Sequence, residues 1–213
     1  MTRGDAPRQR LYLVTPRIAD PAPFAGEVDQ ALAAGDVAAL LLRLADGGER
    51  EQISRAKAVV AAVQRRDVAV LIDGHPEIAA RAGADGAHIG GIEAFVAALA
   101  VLKPERIAGA GGLHSRHDAM LAAESGADYV MFGEPDRRGQ RLPFAELEER
   151  LAWWAELFEI PCIGYADHPD EVAALARTGA DFVALGEWIW TEPKGVAAAI
   201  AAAAENLAAA IPR

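Results

Sequence analysis

The 213-residue chain has one cysteine, no excess of basic charge and no apolar run long enough to cross a bilayer. A lone Cys162 excludes an intramolecular disulfide and a cysteine-built metal cluster. Set in Ile160-Pro161-Cys162-Ile163, it reads as a buried, inert thiol. Acidic residues outnumber basic ones, 31 to 21, for a net charge of −10. That balance argues against nonspecific nucleic-acid binding and against anionic membrane surfaces. It leaves room for a small anionic ligand held by a few local groups. The Ala-rich run from Val196 to Ile211 is interrupted by Glu205 and Asn206 and is too short to span a membrane. The first ten residues are polar and lack an apolar signal core. The expectation is a cytoplasmic protein that takes a small-molecule partner and no nucleic acid or membrane, with a homodimer left open.

What the chain does have is repetition. Gly83-Ala84-Asp85-Gly86-Ala87-His88-Ile89-Gly90, Gly126-Ala127-Asp128-Tyr129-Val130-Met131-Phe132-Gly133 and Gly179-Ala180-Asp181-Phe182-Val183-Ala184-Leu185-Gly186 share one plan. A weaker copy starts at Gly35-Asp36. Each follows an Ala-rich helical stretch. The first Gly can end that helix in a left-handed conformation. The Asp can bond local backbone amides as the strand begins. The apolar run suits a strand buried on both faces, and the closing Gly permits a sharp turn.

The unit is therefore helix, tight turn, short buried strand. Strands are expected at Leu11–Thr15, Val37–Arg43, Val68–Asp73, Gly86–Ile89, Arg106–Gly109, Tyr129–Phe132, Pro161–Tyr165 and Phe182–Leu185. Helices are expected between them, the clearest carrying Phe144, Leu147, Leu151, Trp154 and Phe158 on one face. A hydrophobic fraction of 52% is enough for one large core. The predicted architecture is an α/β fold, a single (β/α)8 TIM barrel over residues 1–213. Glu134 to Leu142 is expected to be a mobile loop over the barrel mouth. Chemistry is expected at the C-terminal strand ends.

Those strand ends, with Leu11-Tyr12-Leu13-Val14-Thr15 and Ile160-Pro161, resemble the thiamine-phosphate synthase family, which includes thiazole tautomerase relatives. The resemblance implies a (β/α)8 barrel that joins a pyrimidine methyl diphosphate to a thiazole phosphate and releases pyrophosphate. It also implies a magnesium ion and basic residues on the diphosphate, with backbone donors on the thiazole phosphate.

The family's site pattern is only partly present. Where its second strand ends Gln-x-Arg-x-Lys, this chain has Leu41, Arg43 and Ala45. Arg43 is a phosphate ligand or the partner of a nearby carboxylate. Where the third strand ends Asn-Asp-Arg, this chain has Asp73-Gly74-His75, and after the fourth Gly91 replaces Gln and Glu93 stands at an Asp position. Asp73 and Glu93 are the candidate magnesium pair. Their plainer reading is a turn residue and a helix-start carboxylate. Gly111-Gly112-Leu113-His114-Ser115 keeps a histidine where tautomerase relatives carry their acid–base group, so His114 is the catalytic candidate beside Arg43. Its plainer reading is a neighbour of the helix cap at Ser115. His88 reads as a packed, hydrogen-bonded core histidine.

The sixth loop offers Arg137, Arg138 and Arg141 in place of Thr-x-Thr-Lys. The seventh strand ends Tyr165-Ala166-Asp167-His168 in place of Gly-Gly, and Glu187 follows the eighth. Two acids where an anion binds would cost about several kcal/mol in a dry pocket. Asp167, His168 and Glu187 read as a cluster for a metal, a cation or a hydrogen-bonded plug. Trp188 and Trp190 beside it read first as core. The substrate-facing set is Asp73, His75, Gly91, Gly112, Arg137, Asp167, His168 and Glu187. Three functions stay open: the synthase reaction, an acid–base enzyme using His114, and a non-catalytic small-molecule-binding or regulatory barrel. An arginine folded over the mouth would favour an anion site; an open acidic mouth would favour the other two.

Overall fold

The computed structural model describes residues 9–136 and 138–210. Arg137 therefore lies outside the described residues. Eight strands, β1 (Arg10–Ile18), β2 (Val37–Leu44), β3 (Ala69–Asp73), β4 (Gly86–Gly90), β5 (Ile107–Gly111), β6 (Tyr129–Phe132), β7 (Cys162–Ala166) and β8 (Phe182–Leu185), pair in parallel and close into a barrel in chain order. Helices α1 (Pro21–Ala33), α2 (Glu49–Gln64), α3 (Pro76–Ala82), α4 (Ile92–Leu102), α5 (Arg116–Glu124), α6 (Phe144–Leu157), α7 (Glu171–Arg177) and α8 (Val196–Ala210) follow the strands. This is the (β/α)8 TIM barrel. None of the helices described is long and apolar enough to cross a membrane.

Side-chain alternation along each strand divides the core in two. Outward residues such as Leu40, Leu42, Val70, Ile72, Ala108, Ala110, Val183 and Leu185 pack under the helices. Inward residues, among them Tyr12, Val14, Leu41, Leu71, Tyr129, Met131, Ile163 and Tyr165, fill the barrel. The β4–β5 register pairs His88 with Gly109 and Gly90 with Gly111, all on the inner face between outward Ala87, Ile89, Ala108 and Ala110. So β5 brings almost no side-chain volume to the upper barrel. Its inner space goes to its neighbours.

The repeat carries the scaffold, with one correction. Gly83, Gly126 and Gly179 take φ of 76°, 107° and 90° just past helix ends, as helix termination requires. The Asp does not bond to its own turn. Asp85 accepts from the amide of Val70 at 2.7 Å, Asp128 from Ala108 at 2.7 Å and Asp181 from Cys162 at 2.9 Å. Each carboxylate thus reaches sideways to the first residues of the preceding strand. A parallel strand leaves that amide without a ladder partner, and the Asp supplies it.

β1 runs to Ile18, beyond its expected end at Thr15, because it stays paired with β2 through a register shift between Val14 and Arg17. A 3-10 turn, Glu187–Thr191, follows β8. Trp188 donates its indole N–H to the Ala166 carbonyl at 3.1 Å, and Trp190 donates to Val14 at 2.8 Å. Trp190 also packs on Phe24 at 4.7 Å between ring centroids. Both tryptophans pin this turn to the β7, β1 and α1 region and belong to the scaffold. Cys162 is buried, and burial with the Asp181 charge pushes its thiol up to about 12. It is no nucleophile at neutral pH.

A charged and glycine-walled mouth

The C-terminal ends of the strands bring together Arg43, Asp73, His88, Glu134, Asp167 and Glu187. Arg43 leaves the end of β2 and meets two carboxylates. Its Nη1 donates to Glu187 Oε1 at 2.6 Å, and its Nε lies 3.4 Å from Asp73 Oδ2. Of the two readings for Arg43, the geometry gives the carboxylate partner. Its backbone amide is held at 3.0 Å by the buried Thr15 hydroxyl.

Across the mouth, His88 is 1% exposed and uses both ring nitrogens. Nδ1 lies 2.9 Å from the Tyr129 hydroxyl, and Nε2 lies 2.9 Å from Glu134 Oε1. Tyr129 in turn lies 2.9 Å from the Tyr12 hydroxyl. A hydrogen-bonded chain therefore crosses the barrel from β1 to the residue after Gly133. Burial opposes both charges of the inner pair, pushing the Glu134 carboxyl up and His88 down. Their mutual attraction and hydrogen bond, with the Gly112 amide and Arg43 acting on Glu134 and Asp73 acting on His88, outweigh it. Glu134 ends below its ordinary value and His88 above. Glu134 as a carboxylate accepts from His88 Nε2, and the Nδ1–Tyr129 hydrogen bond can run in either direction. Burial holds the Tyr12 and Tyr129 hydroxyls protonated.

The missing β5 side chains make this possible. A Cβ on Gly109 would stand 2.1 Å from the Tyr129 ring. One on Gly111 would stand 2.1 Å from Glu134 Oε2 and 2.3 Å from His88 Nε2. Beside the pair, a Cβ on Gly74, Gly90 or Gly91 would meet no atom within 4 Å. The amide of Gly112 points at Glu134 Oε2, 3.3 Å away. The strand ends at Gly74, Gly90 and Gly91 are thus open to added side chains.

The other expected residues fall as follows. Arg141 holds Glu171 at 3.0 Å and lies 3.6 Å from Asp167, whose amide donates to Glu171 at 2.8 Å. Among the described residues, Asp167, His168 and Glu187 form no group that could hold a metal ion. Asp167 is 4.0 Å from His168, but Arg141 and Arg43 draw Asp167 and Glu187 to separate partners. The expected mobile loop is tethered at both ends, by Glu134 on His88 and by Arg141 on Glu171, and Asp136 accepts from the amides of Arg138 and Gln140. His114 is exposed, and its carbonyl, not its ring, takes the Arg150 guanidinium at 3.3 Å. His114 stands before a capping box formed by Ser115 and Asp118. His75 precedes α3, with no cap bond from its side chain.

Magnesium can be tested against these residues. Asp73, the better candidate ligand, already faces the Arg43 guanidinium, which would repel a dication there. Glu93 is exposed in the first turn of α4. Among the described residues no group of three or more His, Cys, Asp or Glu could hold a metal ion. The donor set does not fit a magnesium site.

Glu134 is the residue that sequence reasoning missed. Its signal was the coincidence of an inward-phase His88, two inward glycines on β5 and an acid directly after the closing Gly133.

A family model described as thiamine monophosphate synthase matches residues 11–189. The thiamine-phosphate synthase of Rhodospirillum centenum is 40% identical over 195 residues, covering 90% of this chain and 94% of that protein. That of Hyphomonas neptunium is 40% identical over 210 residues, covering 94% and 95%. The thiamine phosphate pyrophosphorylase structure from Pyrococcus furiosus superposes with a TM-score of 0.79 at 21% identity, over 97% of this chain and 98% of that one. That last likeness speaks for the barrel. Taken with the family match along most of the chain, the 40% identities place it: the chain belongs to the thiamine-phosphate synthase family.

Proposed function

We propose that this chain serves thiamine biosynthesis as a heterocycle-binding member of its family, with a mouth rebuilt away from the magnesium–diphosphate condensation. The observation that carries this reading is the commitment of Arg43. The cation that would meet a diphosphate is bonded to Glu187 and faces Asp73. Arg141 is likewise spent on Glu171 and Asp167. Two arginines, Arg43 and Arg141, together with His88 face five carboxylates, Asp73, Glu134, Asp167, Glu171 and Glu187. An anion entering this mouth must displace carboxylates from their partners, whereas a neutral or cationic heterocycle need not. A lone thiol and an acidic surface fit a cytoplasmic setting. Apolar Val96, Val101 and Leu121, exposed on α4 and α5, are where a homodimer would be sought.

The second reading, catalysis of the family condensation, is favoured by the 40% identity to proteins named thiamine-phosphate synthase. One assay separates the two. The pure protein is incubated with both family substrates and magnesium, and thiamine phosphate is measured against an active family member. The expected rate is at least ~100-fold below that control, about 2.7 kcal/mol of lost transition-state stabilisation. A rate matching the control, and abolished in Arg43→Ala, would install the condensation as the function.

A further inference from the structure

Among the described residues four large apolar side chains are exposed, and three of them share one side of the barrel. Val96 is 46% exposed, Val101 36% and Leu121 38%. The first two lie on α4 and the third on α5, which packs beside it. The cause is the composition of α4. Ile92–Leu102 carries one charged residue, Glu93, in its first turn. Its inward residues Phe95, Ala98 and Leu102 are buried in the fold. Its outward residues Ala94, Val96, Ala97, Ala100 and Val101 are apolar as well. A helix apolar on every side is the pattern of a covered helix. The other alanine-rich helix, α8, exposes only alanines and Glu205.

The outward face of α4 matches a reversed copy of itself. Glu93, Ala94, Ala97, Ala100 and Val101 are exposed, and reversal about Ala97 exchanges Glu93 with Val101 and Ala94 with Ala100. A two-fold axis at Ala97 therefore lays this face on an antiparallel second copy, as a contact of like surfaces requires. Alanines at its centre let two helix axes approach to about 8 Å. The charges favour the same direction. Glu93 stands at one end of α4, and Lys103 and Arg106 lie just past the other with Glu105, for one net positive charge. Antiparallel pairing sets the acid of each copy near the basic end of the other and opposes the helix dipoles. Parallel pairing would set acid on acid. A chain of net charge −10 repels both its own copies and anionic lipid. The contact therefore falls where charge is scarce and complementary.

Its size sets its strength. The 11 residues of α4 and 9 of α5 give a patch roughly 16 Å long and about 20 Å across two helices, on the order of 300 Å². A standard interface takes about 800 Å² from each partner. We propose that the α4–α5 face is where two copies of this chain associate, antiparallel along α4 with the two-fold axis at Ala97. The association is weak and reversible. The proposal gives form to the homodimer sought at this face and does not depend on the reaction at the mouth.

The test is sedimentation of the full chain from about 1 µM to about 1 mM, with an expected monomer–dimer dissociation constant of about 10–100 µM, weaker than standard-size interfaces give. Ala97→Glu sets like charges on the axis and should raise that constant at least ~10-fold. Ala208→Glu, the same change on the exposed side of α8, should leave it unchanged. Register is read by air oxidation of cysteine variants, since Cys162 is buried. Ala97→Cys should cross-link to its own copy, and Glu93→Cys should cross-link to Val101→Cys in a mixture. Glu93→Cys alone should not, because its two copies stand about 12 Å apart along the axis, beyond disulfide reach. A chain monomeric to about 1 mM, a dimer indifferent to Ala97→Glu, or efficient cross-linking of Glu93→Cys alone would each overturn the assignment. So would binding to neutral phosphatidylcholine vesicles without self-association, which would give the face to a lipid surface. If Ala97→Glu fails to fold, the cross-links decide. The condensation assay reads the mouth and sedimentation reads this face, so either can fail alone.

Discussion

Gly109 and Gly111 show how a residue with no side chain decides a site. At Gly109 a methyl group would enter the Tyr129 ring, which cannot swing away because Tyr12 and His88 hold its hydroxyl. Gly109→Ala is expected to cost about 1–3 kcal/mol in urea denaturation, the range for overpacking a filled core. An unchanged midpoint would mean that the ring has room. The His88–Glu134 pair makes a second prediction, for pH. Glu134 folds below its ordinary value, so its contribution is present above 4.5 and is lost as pH falls through the folded value. His88 folds above its ordinary value, so its contribution is complete below 6.5 and is lost as pH rises through the folded value. The stability difference between wild type and Glu134→Gln should therefore peak between these two values and shrink on either side; a difference flat across pH would remove the ion pair from the account. Arg43 and the acids at the ends of β3, β7 and β8 could be read from the chain, since strand ends are legible there. Glu134 could not, because its importance lies in contacts with His88 and with a gap on β5. Those neighbours are 46 and 23 positions away in sequence and adjacent only through the barrel's closure.

At the scale of the element, the repeated Gly-Ala-Asp units were legible because each is a local stop signal followed by a buried run. They marked β4, β6 and β8, and the weaker copy marked β2. The destination of the Asp was not legible. A carboxylate before a strand is within reach of its own turn and of the neighbouring strand, and only the parallel pairing decides between them. In the fold, Asp85, Asp128 and Asp181 close the first open amides of β3, β5 and β7. Removing one leaves a part-buried N–H without its partner, a loss of about 1–3 kcal/mol. Asp85→Ala, Asp128→Ala and Asp181→Ala should each lower stability by that amount, and roughly additively, since no two share a strand pair. Asp36, from the weaker copy, bonds the Arg10 guanidinium on the surface, and its half-exposed pair predicts a loss of about 0–1 kcal/mol in Asp36→Ala. Equal losses in all four variants, read by denaturant melts, would show that the lateral bond is not what the repeat maintains.

For the whole molecule the governing quantity is the sign of the field at the mouth. A net charge of −10 repels anions at long range, but salt screens that field over about 8 Å. The local arrangement decides binding. Arg43 is held by Glu187, and Arg141 by Glu171 with Asp167 alongside. Arg43 and Arg141 are therefore present at the mouth but paired with carboxylates. This also explains why the resemblance fixed the family and left the reaction open. The scaffold depends on glycines and buried strands that are all in place, whereas the reaction depends on which charges remain unpaired once the barrel closes. The argument predicts a gain. In the double variant Asp167→Gly, Glu187→Ser, Arg43 loses its closest carboxylate, and the end of β7 loses a side chain and a charge. Inorganic pyrophosphate should then bind at least tenfold more tightly than to wild type, about 1.4 kcal/mol, by calorimetric titration at physiological ionic strength. That amount is modest beside the roughly 4 kcal/mol that a unit charge exerts at 4 Å near a protein surface. The gain should disappear when Arg43→Ala is added, because Arg43 is the cation being released. If the double variant bound no better, or bound better regardless of Arg43, pairing of Arg43 would not be what closes this mouth to anions.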